Sequence, residues 1–207
     1  MEFFTQLLNA KEILSLGIFV IVIIVYAENG LFFGFFLPGD YLLFLSGLFC
    51  YTGALPVDII TLLLSVTGAA ILGSYTGYAF GWFLGHKLLT RKDTWLFKKE
   101  YLERTRSYFL KYGGKTLIIS RFLPVVRTFA PILAGIIKMD FKQFTLFNVL
   151  GGFIWVFSLI LAGFFLGKAF PDLAHHVDYV IYIFLGLTSL VFLKGYLGSK
   201  KKPDLES

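Results

Sequence analysis

Cysteine and histidine are scarce in this chain of 207 residues, which has one cysteine and three histidines. A single cysteine, Cys50, excludes an internal disulfide and a cysteine-rich metal site. His175 and His176 lie near acids, but a metal site needs converging ligands that their spacing does not establish. The sequence also lacks phosphate-binding loops, nucleophile elbows and dinucleotide fingerprints. We therefore expect no metal, no cofactor and no enzymatic activity.

Charged residues are also few: they make up 15% of the chain, whereas 57% is hydrophobic and 25 residues are phenylalanine. An ordinary soluble domain is about 25% charged. Several apolar stretches are long enough to cross a hydrocarbon core about 30 Å thick. This composition predicts an all-α polytopic membrane protein.

The net charge of +6 is concentrated in two regions. Nine lysines and arginines lie between residues 86 and 115, and four lysines lie between residues 194 and 202. The positive-inside rule places both regions in the cytoplasm. Basic clusters also occur in nucleic-acid-binding proteins, but these clusters flank apolar segments and contain no recognisable binding module. We expect no nucleic-acid partner.

Six apolar segments follow one another along the chain. Four are predicted to be full spans, namely Ile13–Ala27, Ile59–Gly85, Phe141–Gly167 and Val177–Tyr196. The other two, Leu31–Leu55 and Thr116–Ile137, are interrupted by proline or glycine and resemble pairs of half-membrane helices. The residues expected to break them are Pro38, Gly39, Pro124 and Pro131.

The placement of both basic regions in the cytoplasm determines how the broken segments run. Two full spans lie between loop 86–115 and the tail, so the segment Thr116–Ile137 must enter and leave on the cytoplasmic side. The same count makes Leu31–Leu55 enter and leave from outside, with the N-terminus inside. We therefore predict two opposed re-entrant hairpins in an inverted repeat; the alternative is that Leu31–Leu55 is an ordinary kinked span.

We divide the chain, as one integral membrane domain, into two repeat halves at residues 1–92 and 113–197. Residues 93–112 are predicted to form an amphipathic cytoplasmic helix, because aromatic residues recur there at helical spacing. This helix either lies on anionic lipid or packs on its own protein. Residues 198–207 are predicted to be a basic cytoplasmic tail.

The tripeptide Phe-Leu-Pro occurs in both broken segments, each time beside charges. Glu28 and Asp40 accompany the first copy, and Arg121 and Arg127 flank the second. Each ionisable residue at membrane depth costs about 2.5–3.5 kcal/mol on insertion scales, so such residues indicate function by default. These four residues are the predicted site.

The two kinds of charge suggest different roles. Arginine keeps its proton and binds phosphate oxygens in pairs, so Arg121 and Arg127 are predicted to hold a phosphate. Glu28 and Asp40 can take up protons, and we predict that they gate the site or couple it to protons. The alternatives are that the arginines are permanent structural partners of acids, that Asp40 caps a turn, and that Glu28 marks the end of a span.

Taken together, these residues resemble the DedA family of membrane proteins, also described by the VTT or SNARE-associated domain. The likeness extends from Glu28 to Trp155. It rests on the acids twelve apart and the arginines six apart, and on the following residues: Gly73, Tyr78, Gly81, Gly113, Ser120, Ala134, Gly135, Met139, Phe144 and Asn148. One departure is Ser74, because family members often have an acid after the glycine.

The resemblance implies a lipid transporter of the bacterial inner membrane with two re-entrant hairpins. It implies undecaprenyl phosphate or a phospholipid as substrate, which Arg121 and Arg127 would bind through its phosphate. The alternatives are a non-selective phospholipid scramblase, a proton-coupled transporter of small ions, and a non-transporting scaffold for the envelope. The sequence leaves open a homo-oligomer, the lipid headgroup, and which acid pairs with which arginine.

Overall fold

A computed structural model of the chain describes residues 17–31, 39–90, 109 and 112–170. These residues form six helices, and no strand occurs among them. The helices are α1 (Ile18–Gly30), α2 (Gly39–Thr52), α3 (Ile59–Thr90), α4 (Lys115–Ser120), α5 (Pro124–Ile136) and α6 (Phe141–Ala169). The all-α prediction is confirmed for this part of the chain.

Two of these helices are long and apolar enough to cross a membrane: Ile59–Phe83 within α3, and α6. They coincide with two of the four predicted spans. Helix α1 begins within the predicted span Ile13–Ala27 but runs on to Gly30, so Glu28 lies inside the helix instead of after it. The predicted span Val177–Tyr196, the tail 198–207 and almost all of the amphipathic segment 93–112 lie outside the described residues.

The two broken segments differ in how well their predicted breaks agree with the structure. Gly39 is the first residue of α2, and Pro38 lies outside the described part. In the second segment, residues 121–123 separate α4 from α5, and Pro124 is the first residue of α5. Because the first residue of a helix has no intrahelical partner for its amide, proline is well suited to that position.

Pro131 was expected to break the second segment, and this prediction is wrong. Helix α5 continues through Pro131 to Ile136. A proline inside a helix removes one backbone hydrogen bond, but proline keeps a helical φ. Helix α5 packs on α3 around this residue in ordinary van der Waals contact, since an added Cβ on Gly77 of α3 would lie 3.5 Å from the Pro131 Cβ.

The helices of the two halves pack on each other reciprocally. Helix α2 of the first half lies against α6 of the second, and α5 of the second half lies against α3 of the first. Glycines allow backbones to touch at both crossings. A Cβ on Gly47 would lie 2.0 Å from the Ile160 carbonyl oxygen, and one on Gly163 would lie 1.9 Å from that of Phe44.

Glycines also allow the backbones of α3 and α5 to touch where these helices cross. A Cβ on Gly81 would lie 2.0 Å from the Ile132 oxygen, and one on Gly135 would lie 2.1 Å from the Tyr78 oxygen. Small residues that admit a neighbouring backbone are typical of helix packing in membranes. Helix α1 also packs on α3, and α4 packs on α6. The charged residues lie where α1, α2, α4 and α5 meet the long helices.

Gly81→Ala is expected to destabilise the protein by about 1–3 kcal/mol, because the added methyl group overpacks the α3–α5 crossing. Gly68→Ala on the same helix is the matched control, since an added Cβ there meets nothing within 4 Å. Alanine favours a helix over glycine by about 0.5–1 kcal/mol, so the control should be neutral or stabilising. Melting temperatures in detergent check this; equal effects of the two changes would contradict the close crossing.

Candidate functional site

The four charged residues predicted as the site come together in the interior, from four different elements. Glu28 lies on α1, Asp40 on α2, Arg121 directly after α4, and Arg127 on α5. Glu28, Arg121 and Arg127 are 0%, 4% and 3% exposed, respectively. Side chains from the two broken segments therefore contact each other: Arg127 of the second binds Asp40 of the first.

Arg127 binds both acids, and we call Glu28, Asp40 and Arg127 the ion triad. Its Nη1 donates to Asp40 Oδ1 at 2.5 Å, and its Nη2 donates to Glu28 Oε1. With both carboxyl groups ionised, the triad carries one net negative charge. Removing one partner from a buried ion pair leaves an uncompensated charge, so the three residues depend on one another.

A glycine and a tryptophan hold the acids of the triad in place. The Gly39 amide donates to Glu28 Oε1 at 3.3 Å, and the lack of a side chain on Gly39 leaves room for the carboxylate. Trp155 Nε1 on α6 donates to Asp40 Oδ1 at 2.8 Å, and the Trp155 ring lies 5.0 Å from Arg127 Cζ. Trp155 thus contacts both an acid and an arginine, and its contact with Arg127 is a cation–π interaction.

Arg121 has a different environment, made of neutral oxygens. Its Nη2 donates to Ser74 Oγ at 3.0 Å and to Asn148 Oδ1 at 2.5 Å, and its Nη1 donates to Asn29 Oδ1 at 3.5 Å. We call Asn29, Ser74 and Asn148 the Arg121 cage. Within the described residues no carboxylate forms an ion pair with Arg121.

Gly151 and Gly152 of α6 leave space for the Arg121 side chain. A Cβ on Gly151 would lie 3.1 Å from both Arg121 Cδ and Nε, and one on Gly152 would lie 3.6 Å from Nη2. The guanidinium therefore passes close to the α6 backbone on its way to the cage. Gly151 and Gly152 therefore contribute to the site by leaving room for the Arg121 side chain.

The arrangement resolves which acid contacts which arginine. The sequence left this pairing open, and in the structure Glu28 and Asp40 both contact Arg127. Arg121 is the arginine of the site that has no acidic partner among the described residues. Sequence reasoning assigned no role to Trp155 and did not foresee the cage; asparagines inside apolar helices were the available signal.

Comparison with known proteins identifies the family. The model of the VTT domain matches residues 37–165. Protein DedA of Escherichia coli (strain K12) is 39% identical over 150 residues, which are 72% of this chain and 68% of that protein. No solved structure matches the chain.

Two further relatives are membrane proteins by name. An uncharacterized membrane protein of Mycobacterium tuberculosis (strain H37Rv) is 42% identical over 148 residues, covering 72% of this chain and 65% of that protein. Inner membrane protein YqjA of Escherichia coli (strain K12) is 34% identical over 210 residues, which are 96% of this chain and 94% of that protein. The chain therefore belongs to the DedA family, the membrane proteins that carry a VTT domain.

Proposed function

We propose that this protein moves a phosphate-bearing lipid between the leaflets of a membrane, with undecaprenyl phosphate as the preferred substrate. The observation that carries the proposal is the buried Arg121 guanidinium, whose partners in the described part of the chain are all neutral. An arginine stays protonated, so it keeps a full positive charge away from water. An anionic phosphate is the ligand whose oxygens match the planar fork of that guanidinium.

In this proposal the ion triad controls access to the site. Arg127 is held by Glu28 and Asp40 while the site is empty. Glu28 Oε2 and Arg127 Nε are buried and have no hydrogen-bond partner among the described residues, so the triad is not fully satisfied. Uptake of a proton by one acid, or arrival of a phosphate, would release Arg127 to join Arg121 in binding the substrate.

The membrane architecture in the proposal is an inverted repeat with two opposed re-entrant hairpins. It is supported by the interrupted backbone at residues 121–123 and by the reciprocal packing of α2 on α6 and α5 on α3. Non-helical backbone at membrane depth is tolerated where it is buried in protein or lines a cavity. In the proposal both termini lie in the cytoplasm, as the positive-inside rule predicts. The protein lies in the bacterial inner membrane, in keeping with the name of the relative, Inner membrane protein YqjA.

The lipid tail needs an apolar surface near the charged site. An apolar groove of about 510 Å³ runs along α3 and the start of α6. It is lined by Tyr75, Tyr78, Ala79, Trp82, Phe83 and Phe141. Tyr75 of the groove follows Ser74 of the Arg121 cage, so the groove and the cage lie at the same level of α3 but on different faces of that helix.

Arg121→Lys is expected to lower the translocation of labelled undecaprenyl phosphate in proteoliposomes by about tenfold or more, because an ammonium cannot donate the paired hydrogen bonds of a guanidinium. Equal reconstitution and orientation of both proteins are the controls. Full activity of Arg121→Lys would remove the phosphate-binding role of this residue.

A structural scaffold is the second candidate, since Arg127 is already paired with both acids. Fixed ion pairs would serve a scaffold equally well. The charge-swapped double variant Glu28→Arg with Arg127→Glu distinguishes the two candidates, because a pure strut tolerates exchange of its partners. If the wild-type protein transports and the swapped protein folds but does not, the transporter is supported; a wild-type protein that does not transport, together with a swapped protein that folds and keeps the cellular function, supports the scaffold.

A further inference from the structure

The two arginines of the site differ in how their charge is compensated, although both are almost fully buried. The ion triad surrounds Arg127 with two carboxylates. The Arg121 cage offers three neutral side chains, and all three use their own donors elsewhere. This last feature suggests that the cage has a specific electrostatic role.

Ser74 shows the arrangement most clearly. Its hydroxyl donates to the Ala70 carbonyl oxygen one turn earlier in α3, at 3.0 Å. The oxygen lone pairs are then left for Arg121 Nη2, also at 3.0 Å. Ser74 is 1% exposed, so water does not compete at this position.

The two asparagines are oriented in the same way. Asn148 Nδ2 donates to the Ile71 oxygen at 3.2 Å, and Asn29 Nδ2 donates to the Val25 oxygen at 2.8 Å. Each amide therefore directs its Oδ1 at the guanidinium. Oriented dipoles of this kind stabilise a cation without neutralising it.

We propose that Ser74 sets the net charge of the anion site: as a neutral partner it keeps Arg121 positive and available to a phosphate group. The proposal rests on the proposed function. A carboxylate at this position would lie next to Nη2 and would compete with the incoming anion for the same donors. Ser74 is thus a residue that determines selectivity for anionic ligands, acting through Arg121.

The test compares Ser74→Asp with Ser74→Asn, two side chains of nearly equal size that differ in charge. Binding of undecaprenyl phosphate and of inorganic phosphate to the full-length protein in detergent is measured by calorimetry. Ser74→Asp should bind the lipid phosphate about tenfold or more weakly than Ser74→Asn, because its carboxylate pairs with Arg121, which has no acidic partner among the described residues. Translocation of zwitterionic phosphatidylethanolamine should show a smaller difference between the two variants.

The outcomes separate this inference from the proposed function. Equal affinity of the two variants, when the wild-type protein binds the lipid phosphate, overturns the role of Ser74 alone. A wild-type protein that binds neither probe overturns both. If inorganic phosphate shows the same difference as the lipid, the phosphate group itself is the recognised ligand; if only the lipid binds and shows the difference, the inference holds and the tail contributes affinity.

A second pair of variants guards against misfolding of Ser74→Asp, which melting temperatures would reveal. Asn148→Asp introduces a carboxylate at the other close partner of Arg121 Nη2, and Asn148→Ala is its uncharged control. The same loss of phosphate affinity relative to the alanine variant is expected. A folded Asn148→Asp protein that binds phosphate as tightly as the wild type would overturn the inference.

Discussion

Replacing Arg127 with glutamine is expected to destabilise the folded protein by about 3–5 kcal/mol. Glutamine is shorter than arginine and carries no charge, so the change leaves the carboxylates of Glu28 and Asp40 without their cation. Glu28 has no exposed surface through which water could compensate. Unfolding in detergent with increasing denaturant measures the loss.

Arg121→Gln is the matched control for this prediction. It removes the same side chain from an equally buried position, but it strands no carboxylate, because the Arg121 cage is neutral. We expect the smaller destabilisation there, and we expect Glu28→Gln to restore part of the stability of Arg127→Gln. If Arg121→Gln proves as destabilising as Arg127→Gln, the division into an ion triad and a neutral cage is incorrect.

Gly39→Ala is expected to have the second large effect, with loss of lipid transport as well as of stability. An added Cβ would lie 1.5 Å from Glu28 Oε2 and 2.5 Å from Glu28 Cδ. The carboxylate would have to leave its place, and its contact with Arg127 would break. Stability in detergent and translocation in proteoliposomes are the two measurements.

A double-mutant cycle with Glu28→Ala isolates the cause. If the clash with the carboxylate is what matters, Gly39→Ala should add little destabilisation once Glu28 has been shortened to alanine. Non-additivity is expected between residues in direct contact. Fully additive effects would show that Gly39 is needed for the start of α2 and not for the position of Glu28.

The sequence predicted those residues of the site that are ionisable, because burying an ionisable side chain in a membrane always costs free energy. Glu28, Asp40, Arg121 and Arg127 are ionisable residues in apolar segments, and the structure brings them together. The start of α5 at Pro124 was also predictable, since proline at the beginning of a helix follows from its missing amide hydrogen.

The remaining features depend on tertiary contacts that local patterns do not encode. Pro131 was expected to break a helix, but α5 continues through it and packs on α3. Ser74 and Asn148 are neutral, and neutral polar residues occur in apolar helices for many reasons. Their common partner, Arg121, lies 47 and 27 residues away in the chain. The inverted repeat and the substrate stay predictions.

The most direct test of lipid-phosphate transport is the movement of labelled undecaprenyl phosphate and phosphatidylethanolamine between leaflets of the same proteoliposomes, with and without a pH gradient. Arg127→Ala protein, reconstituted equally, is the control. The account predicts faster movement of undecaprenyl phosphate, acceleration by the gradient, and loss of both in the variant. Equal movement of the two lipids regardless of the gradient, or no movement by folded protein, would contradict it.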